Sequence, residues 1–177
     1  MIEFTDVVTP LKNKAKIVIF GPYGEGGRDR LELLKEFLKT SKFSKADTVV
    51  GLPAPPGINR QRIGDDDIYF TKKSQYYVKK FEIGLFVFFK DISHESVTVE
   101  VKELVDKYPE KIKCASFMAQ EDKSSLATLE RGTLKNYNRD IGIFNNCNDL
   151  NELAEKACTN HIIEDDCVKS RQLLTEI

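Results

Sequence analysis

A glycine-rich segment with an arginine at its end follows an early apolar run. It reads Gly-Pro-Tyr-Gly-Glu-Gly-Gly-Arg over residues 21–28, and its candidate binding residues are Gly21, Gly24, Gly26, Gly27 and Arg28. Glycines let backbone N–H groups approach an anion closely, and a helix starting here adds unpaired donors and the positive end of its dipole. A guanidinium fork suits phosphate. We expect this segment to bind an anion. The alternative is a flexible turn with surface arginines.

The spacing of this segment differs from that of two common phosphate-binding motifs. No Gly-Lys-Ser/Thr follows, so it is not a Walker A loop, and the glycines do not have the Gly-x-Gly-x-x-Gly spacing of dinucleotide-binding folds. Anion binding therefore depends on the position of the segment in the fold.

A second group of polar side chains follows the longest apolar run of the chain, Ile83–Phe89. The group comprises Asp91, His94, Ser96 and Glu100. At 100° per residue Glu100 lies beside Val97 and Leu104, at the border of the apolar stripe of a predicted helix. Burial and the helix N-terminus shift the pKa of such a carboxyl in opposite directions, which suits a nucleophile or base. The alternative is an ordinary first-turn glutamate that complements the helix dipole.

The two segments must be positioned by alternating strands and helices. Short β-branched or aromatic runs predict strands at Lys16–Gly21, Asp47–Leu52, Glu82–Phe89, Ile112–Met118 and Asp140–Asn145. Apolar residues at helical spacing predict helices at Arg28–Lys39, Tyr69–Phe81, Val97–Tyr108, Ser124–Asn136 and Leu150–His161, and a last amphipathic piece at Asp166–Glu176. Residues 53–68 are expected to form a long loop, in which Asp65, Asp66 and Asp67 are solvated rather than magnesium ligands.

This alternation predicts an α/β fold: a single doubly wound domain with a five-stranded parallel sheet in the flavodoxin-like order 2-1-3-4-5. Glu82–Phe89, apolar on both faces, is expected at the centre. Ligands of such sheets bind beyond the carboxyl ends of the strands at the switch point, here between strands 1 and 3. Both polar segments should therefore meet in one cleft.

Length and charge bound the class of protein. The chain has 177 residues, enough for about one domain, and a net charge of −1. We expect a core over about residues 14–162 and a C-terminal helical extension over 163–177, which packs back or forms a homodimer contact. Near-neutral charge argues against nucleic-acid partners and polybasic membrane modules. The absence of a long apolar run or an apolar leader predicts a cytoplasmic protein with no membrane partner.

Metal and cofactor signals are absent from the sequence. The cysteines are Cys114, Cys147, Cys158 and Cys167, none in a C-x-x-C pair, and we expect reduced thiols. The only histidines are His94 and His161, and the second is expected to cap the C-terminus of its helix. We predict no metal and no cofactor.

Three motifs together resemble the nucleoside 2-deoxyribosyltransferases and the 2′-deoxynucleoside 5′-phosphate N-hydrolases. Residues 21–28 resemble the family's strand ending in Gly-Ser-x-x-Gly-Gly-Arg, and residues 96–100 are similar to its Gly-Val-x-x-Glu segment, with Ser96 in place of glycine. Residues 126–132 are similar to its phosphate-binding Ser-x-Met-x-x-Gly segment, with Ala127 in place of serine and Ser124 and Ser125 nearby. The resemblance covers about Lys16 to Asn145.

The resemblance implies an enzyme that cleaves the base–sugar bond of a small-molecule nucleoside or nucleotide. Glu100 would attack C1′, and Asp91 or His94 would supply a proton or hold Glu100 in place. Tyr23 would orient the carboxylate or pack on the sugar. The glycine-rich segment, Ser96, Ser124 and Ser125 would contact the substrate or its phosphate. Water as acceptor gives a hydrolase, and a second base gives a transferase.

Two other functions suit the same fold, because a fold does not determine a function. One is a non-catalytic nucleotide-binding or signalling module of the Toll/interleukin-1-receptor-like type. The other is an NAD hydrolase of that type, which also uses a glutamate near a ribose. An NAD hydrolase would release nicotinamide from NAD, whereas a deoxynucleoside glycosidase would release a free base from deoxynucleosides or deoxynucleotides.

Overall fold

The fold is built on a five-stranded, all-parallel sheet. The computed structural model describes residues 4–120, 134–137 and 139–175, with side chains over 8–120, 134–137 and 139–164. The strands are β1 (Ile17–Phe20), β2 (Ala46–Thr48), β3 (Ile83–Phe88), β4 (Ala115–Gln120) and β5 (Ile141–Phe144). Their order is β2-β1-β3-β4-β5, and every neighbouring pair is parallel. The predicted α/β class, strand order and central strand are confirmed.

Helices cover both faces of the sheet. They are α1 (Phe4–Lys14), α2 (Gly27–Thr40), α3 (Arg60–Ile63), α4 (Asp66–Lys80), α5 (Glu95–Lys107) and α6 (Cys147–Thr175), with 3-10 turns at Pro109–Cys114 and Lys135–Tyr137. α2 packs against α6, as does α1, and α4 packs against α5. Among the residues that the structure describes, none of the helices combines the length and apolar character of a membrane span.

The two-sided apolarity of β3 explains its central place. All six of its residues are buried. Alternate side chains of a strand point to opposite faces. Leu85 and Val87 accordingly join the core under α2 and α6, whereas Phe86 and Phe88 join the core under α4 and α5. The ring of Phe86 stacks on Phe20 with a centroid separation of 4.6 Å.

The segment between β2 and β3 departs from the prediction of a long loop. β2 covers only Ala46–Thr48, α3 is a short helix within the segment, and α4 begins at Asp66 rather than Tyr69. The cause is local, because Asp65 caps α4 by accepting a hydrogen bond from the Ile68 N–H at 3.0 Å. The three aspartates are exposed, as predicted, but the prediction of a loop was wrong, since Asp66 and Asp67 lie in the first turn of a helix, where negative charge is favourable.

The C-terminal region is one continuous helix instead of the two predicted pieces. His161 therefore lies inside α6, and the prediction that it caps a helix end was wrong. Its Nε2 lies 3.0 Å from the Ser116 hydroxyl on β4. Burial lowers the pKa of this imidazole. On the same helix Cys158 is buried, whereas Cys147 is exposed. α1 was not predicted, and most of the helix predicted at Ser124–Asn136 lies outside the described residues.

Candidate functional site

A pocket of about 590 Å³ opens between the β1–α2 loop, α4 and the first turns of α5. This volume lies within the range of small-molecule sites in proteins. The loop contributes Tyr23 and Gly24, α2 contributes Arg28, and Val50, which follows β2, also lines the pocket. The pocket thus lies beside β1 and β3, the switch point at which the sequence predicted a cleft.

One face of α4 forms a long wall of the pocket. It presents two rows of side chains at i, i+4 spacing, which are Asp66, Phe70 and Ser74 in one row and Asp67, Thr71 and Gln75 in the other. α5 provides the facing side chains Glu95, Ser96, Val99 and Glu100. α4 ends just before β3 starts and α5 begins just after β3 ends, so both helices begin at the carboxyl edge of the sheet. Their first turns therefore form the mouth of the pocket.

Glu100 forms the floor. Its side chain is buried, with 2% of the residue exposed. One carboxyl oxygen, Oε1, accepts a hydrogen bond from the Tyr23 hydroxyl at 2.9 Å and a second from the Ser74 hydroxyl. The other oxygen, Oε2, is buried and has no hydrogen-bond partner among the described residues. The carboxyl group is thus fixed through one oxygen and has an unpaired acceptor on the other.

Burial dominates the electrostatics of this floor. It raises the pKa of Glu100 to about 8, against the lowering effect of the hydrogen bonds from Ser74 and Tyr23. Burial, followed by the neighbouring Glu100 carboxyl, also raises the pKa of the Tyr23 phenol well above its usual value. A buried acceptor without a partner costs about 1–3 kcal/mol. The site therefore gains stability from a ligand that places a donor or an electron-poor atom beside Oε2.

The loop that carries Tyr23 folds back tightly on the start of α2. The backbone N–H groups of Gly27 and Arg28 both donate to the Gly24 carbonyl oxygen, at 3.2 Å each. A Cβ atom on Gly27 would lie 2.4 Å from the carbonyl oxygen of Pro22, so only glycine fits at that position. On the other side, the Ser96 hydroxyl lies 3.3 Å from the Gly21 carbonyl and joins α5 to the loop.

Some of the predicted site residues meet in the pocket. Those that line it are Tyr23, Gly24, Arg28, Ser96 and Glu100. The expected proximity of Tyr23 and Glu100 is found as a direct hydrogen bond. Gly21, Gly26 and Gly27 belong to the turn but do not line the pocket. Ser124 and Ser125 lie outside the described residues.

Asp91 and His94 are not brought to Glu100. Asp91 is exposed and accepts two hydrogen bonds from the Arg30 guanidinium, at 2.8 and 2.7 Å. His94 contacts the Phe89 carbonyl oxygen through its ring nitrogen and packs edge-on against Phe88. Neither side chain lines the pocket. Their expected role as a proton donor to the base or as a support for Glu100 therefore has no geometric basis in this arrangement.

The contribution of α4 to the pocket was not predicted from the sequence. Ser74 is buried and contacts Glu100 directly, and Phe70 provides an aromatic wall. The signal was the repetition of polar residues at i, i+4 and i+8 along residues 66–75, which identifies one polar helix face. Behind this face the buried Lys73 ammonium donates to the Val50 carbonyl oxygen at 3.0 Å, and burial lowers its pKa.

The chain was compared with known proteins at three levels. No family model, no curated protein and no solved structure matches it. In the described part of the chain, no three His, Cys, Asp or Glu side chains come together as metal ligands.

Proposed function

We propose that the protein is an N-glycosidase or deoxyribosyltransferase that cleaves the base–sugar bond of a nucleoside or nucleotide, with Glu100 as nucleophile. One observation carries the proposal. Glu100 lies at the floor of a pocket of substrate size, with Oε1 held by two hydroxyl groups and Oε2 buried and without a partner among the described residues. A nucleophilic carboxylate requires this combination of fixed orientation and one free oxygen.

The reaction follows the two-step course of retaining glycosidases. Oε2 of the ionised carboxylate attacks C1′ while the C1′–N bond breaks, and the electron pair of that bond goes to the base nitrogen. The result is a glycosyl ester on Glu100 and a released base. Water then attacks C1′, which returns the carboxylate and yields the free sugar and a proton. If a second base attacks instead of water, the reaction is a transfer.

Tyr23 and Ser74 are positioning residues in this proposal. Their hydroxyl groups bond to Oε1 and so fix the carboxyl group, while Oε2 keeps no partner among the described residues. They also stabilise the ionised carboxylate against the effect of burial, since hydrogen bonds to a charged form favour that form.

The test is release of free base from a panel of ribo- and deoxyribonucleosides, their 5′-phosphates and NAD. We expect the wild-type protein to release base and Glu100→Gln to release none while still binding the substrate, because the amide keeps the shape but cannot act as a nucleophile. Glu103→Gln is the matched control, since Glu103 lies on the same helix but pairs with Lys107 at 2.9 Å. Equal rates for wild type and Glu100→Gln would overturn the mechanism.

A non-catalytic binding module is the second candidate, and one observation favours it. With a pKa of about 8, the Glu100 carboxyl is largely neutral at neutral pH and can donate a hydrogen bond to a ligand instead of attacking it. Nucleotide binding without base release anywhere between pH 6 and pH 9 would support this alternative. Release of nicotinamide from NAD alone would favour an NAD hydrolase.

A further inference from the structure

The described residues at the mouth of the pocket carry more negative than positive charge, whereas a phosphate site requires positive charge. Asp66 lies about 12 Å above the floor residue Ser74, and Glu95 lies about 7.5 Å above Glu100, from the helical rise of 1.5 Å per residue. Asp66 and Asp67 occupy the first turn of α4, and Glu95 occupies the first turn of α5. Three carboxylates therefore surround the entrance.

Few cations balance these carboxylates. Asp66 is neutralised by Arg60, whose guanidinium donates to both of its oxygens at 2.7 Å. Within the described part of the chain, no ion pair engages Asp67 or Glu95. Arg28 is the cation among the described lining residues. The described lining, with Arg60 counted against Asp66, is therefore net negative even when Glu100 is neutral.

The described lining of the pocket holds few groups that could protonate a leaving base. It includes no histidine, lysine or cysteine, and Asp91 and His94 lie elsewhere, so its acids are the carboxyl groups and the Tyr23 phenol, which donates to Glu100. A neutral base departs readily only when it is protonated as the bond breaks. A base that is already cationic needs no proton, since the electron pair of the C1′–N⁺ bond neutralises it and it leaves as a neutral heterocycle.

From these two observations we propose that the pocket selects unphosphorylated N-glycosides whose heterocycle carries a positive charge, such as pyridinium or N-alkylated purine nucleosides. Opposite charge attracts and like charge repels, and because the carboxylates at the mouth are exposed, salt weakens this effect. The heterocycle would face Asp67 and Glu95, and the C1′ atom would lie beside Oε2 of Glu100. This inference rests on the proposed function, because it assigns the substrate class of the same site.

The experiment measures binding to Glu100→Gln, which is expected not to cleave the ligands, by titration calorimetry at low salt with three matched probes. They are nicotinamide riboside, its uncharged 1,4-dihydro form and its 5′-phosphate, each in the ribose and 2′-deoxyribose series. We expect the cationic nucleoside to bind about tenfold more tightly than the other two. The preference for the cationic nucleoside over the other two probes should become smaller in Asp67→Asn and in Glu95→Gln. It should persist in Arg28→Ala.

The outcomes separate this inference from the proposed function. Equal binding of the dihydro form would overturn the inference. Tighter binding of the 5′-phosphate that is lost in Arg28→Ala would also overturn it, and would indicate a phosphate site. Base release is measured in parallel against Glu100→Gln. A cation preference without base release would contradict only the proposed function, whereas release with a preference for neutral or phosphorylated substrates would contradict only the inference.

Discussion

Two opposing influences act on the Glu100 carboxyl, and their balance predicts the pH dependence of the reaction. Burial raises its pKa to about 8, although two hydroxyl groups favour the ionised form. Only the ionised carboxylate can attack C1′. We therefore expect kcat/KM for base release to rise about tenfold per pH unit below pH 8 and to level off above it. Initial rates with a substrate that does not titrate between pH 6 and 9 measure this, and a flat profile would contradict it.

Ser74→Ala tests the positioning role directly. Loss of the hydroxyl removes one hydrogen bond from Oε1, so base release should fall about 10- to 100-fold and the limb of the pH profile should move to higher pH. The control is Ser116→Ala, which removes the hydroxyl beside His161 on β4. If both variants lose rate without a change in the profile, Ser74 has only a structural role.

The sequence could predict the residues of the site that follow strands, but not those on α4. Tyr23 and Glu100 were found because a strand end followed by a helix start fixes where a side chain lies. Ser74 was missed because no motif marks a serine in a helix, and its contact with Glu100 depends on how α4 packs against α5. Asp91 does not line the pocket although it is close to Glu100 in sequence, and it pairs with Arg30 at the surface.

At the scale of elements, the close approach of Gly27 to Pro22 decides how the β1–α2 loop meets its helix. Gly27→Ala would place a Cβ atom 2.4 Å from a backbone oxygen, so the loop must shift. We expect a loss of about 1–3 kcal/mol in the free energy of unfolding, measured by urea titration. Gly24→Ala is the matched control, because nothing lies within 4 Å of its Cβ, and similar losses in both variants would contradict the prediction.

Helix boundaries were harder to predict than helices. α4 starts at Asp66 because Asp65 provides the cap, a signal that the acidic run obscured. A break was predicted at residues 162–165, but α6 continues through them because no proline or glycine interrupts the helix there. Where a helix begins or ends depends on single side chains. The apolar periodicity that predicts a helix depends on many residues and is therefore a more secure signal.

For the whole molecule, the raised pKa of Glu100 links stability to pH. The folded-state pKa of about 8 exceeds the ordinary value of 4.5, so the folded protein binds this proton more tightly and its stability falls as pH rises between these values. We expect Glu100→Gln to gain up to about 4 kcal/mol relative to wild type between pH 5 and pH 8. Urea titrations of both proteins at several pH values test this, and parallel curves would contradict it.

The topology of the molecule followed from its apolar pattern. A central strand buried on both faces, flanked by helices with one apolar side each, leaves few arrangements, and right-handed crossovers reduce them further. The order β2-β1-β3-β4-β5 was predictable for that reason. α1 was not, because Pro10 inside it argues against a helix and because its contacts with α6 lie far away in sequence.

The burial of Cys158 gives the protein an internal reporter of its own motion. The thiol is 0% exposed within the core that α6 closes, burial raises its pKa, and the Lys12–Glu155 ion pair at 3.2 Å joins α1 to α6. An alkylating reagent reaches this sulfur only when α6 separates from the sheet. In a variant that retains Cys158 alone, the labelling rate should therefore measure how often that helix opens, and Lys12→Ala should increase it.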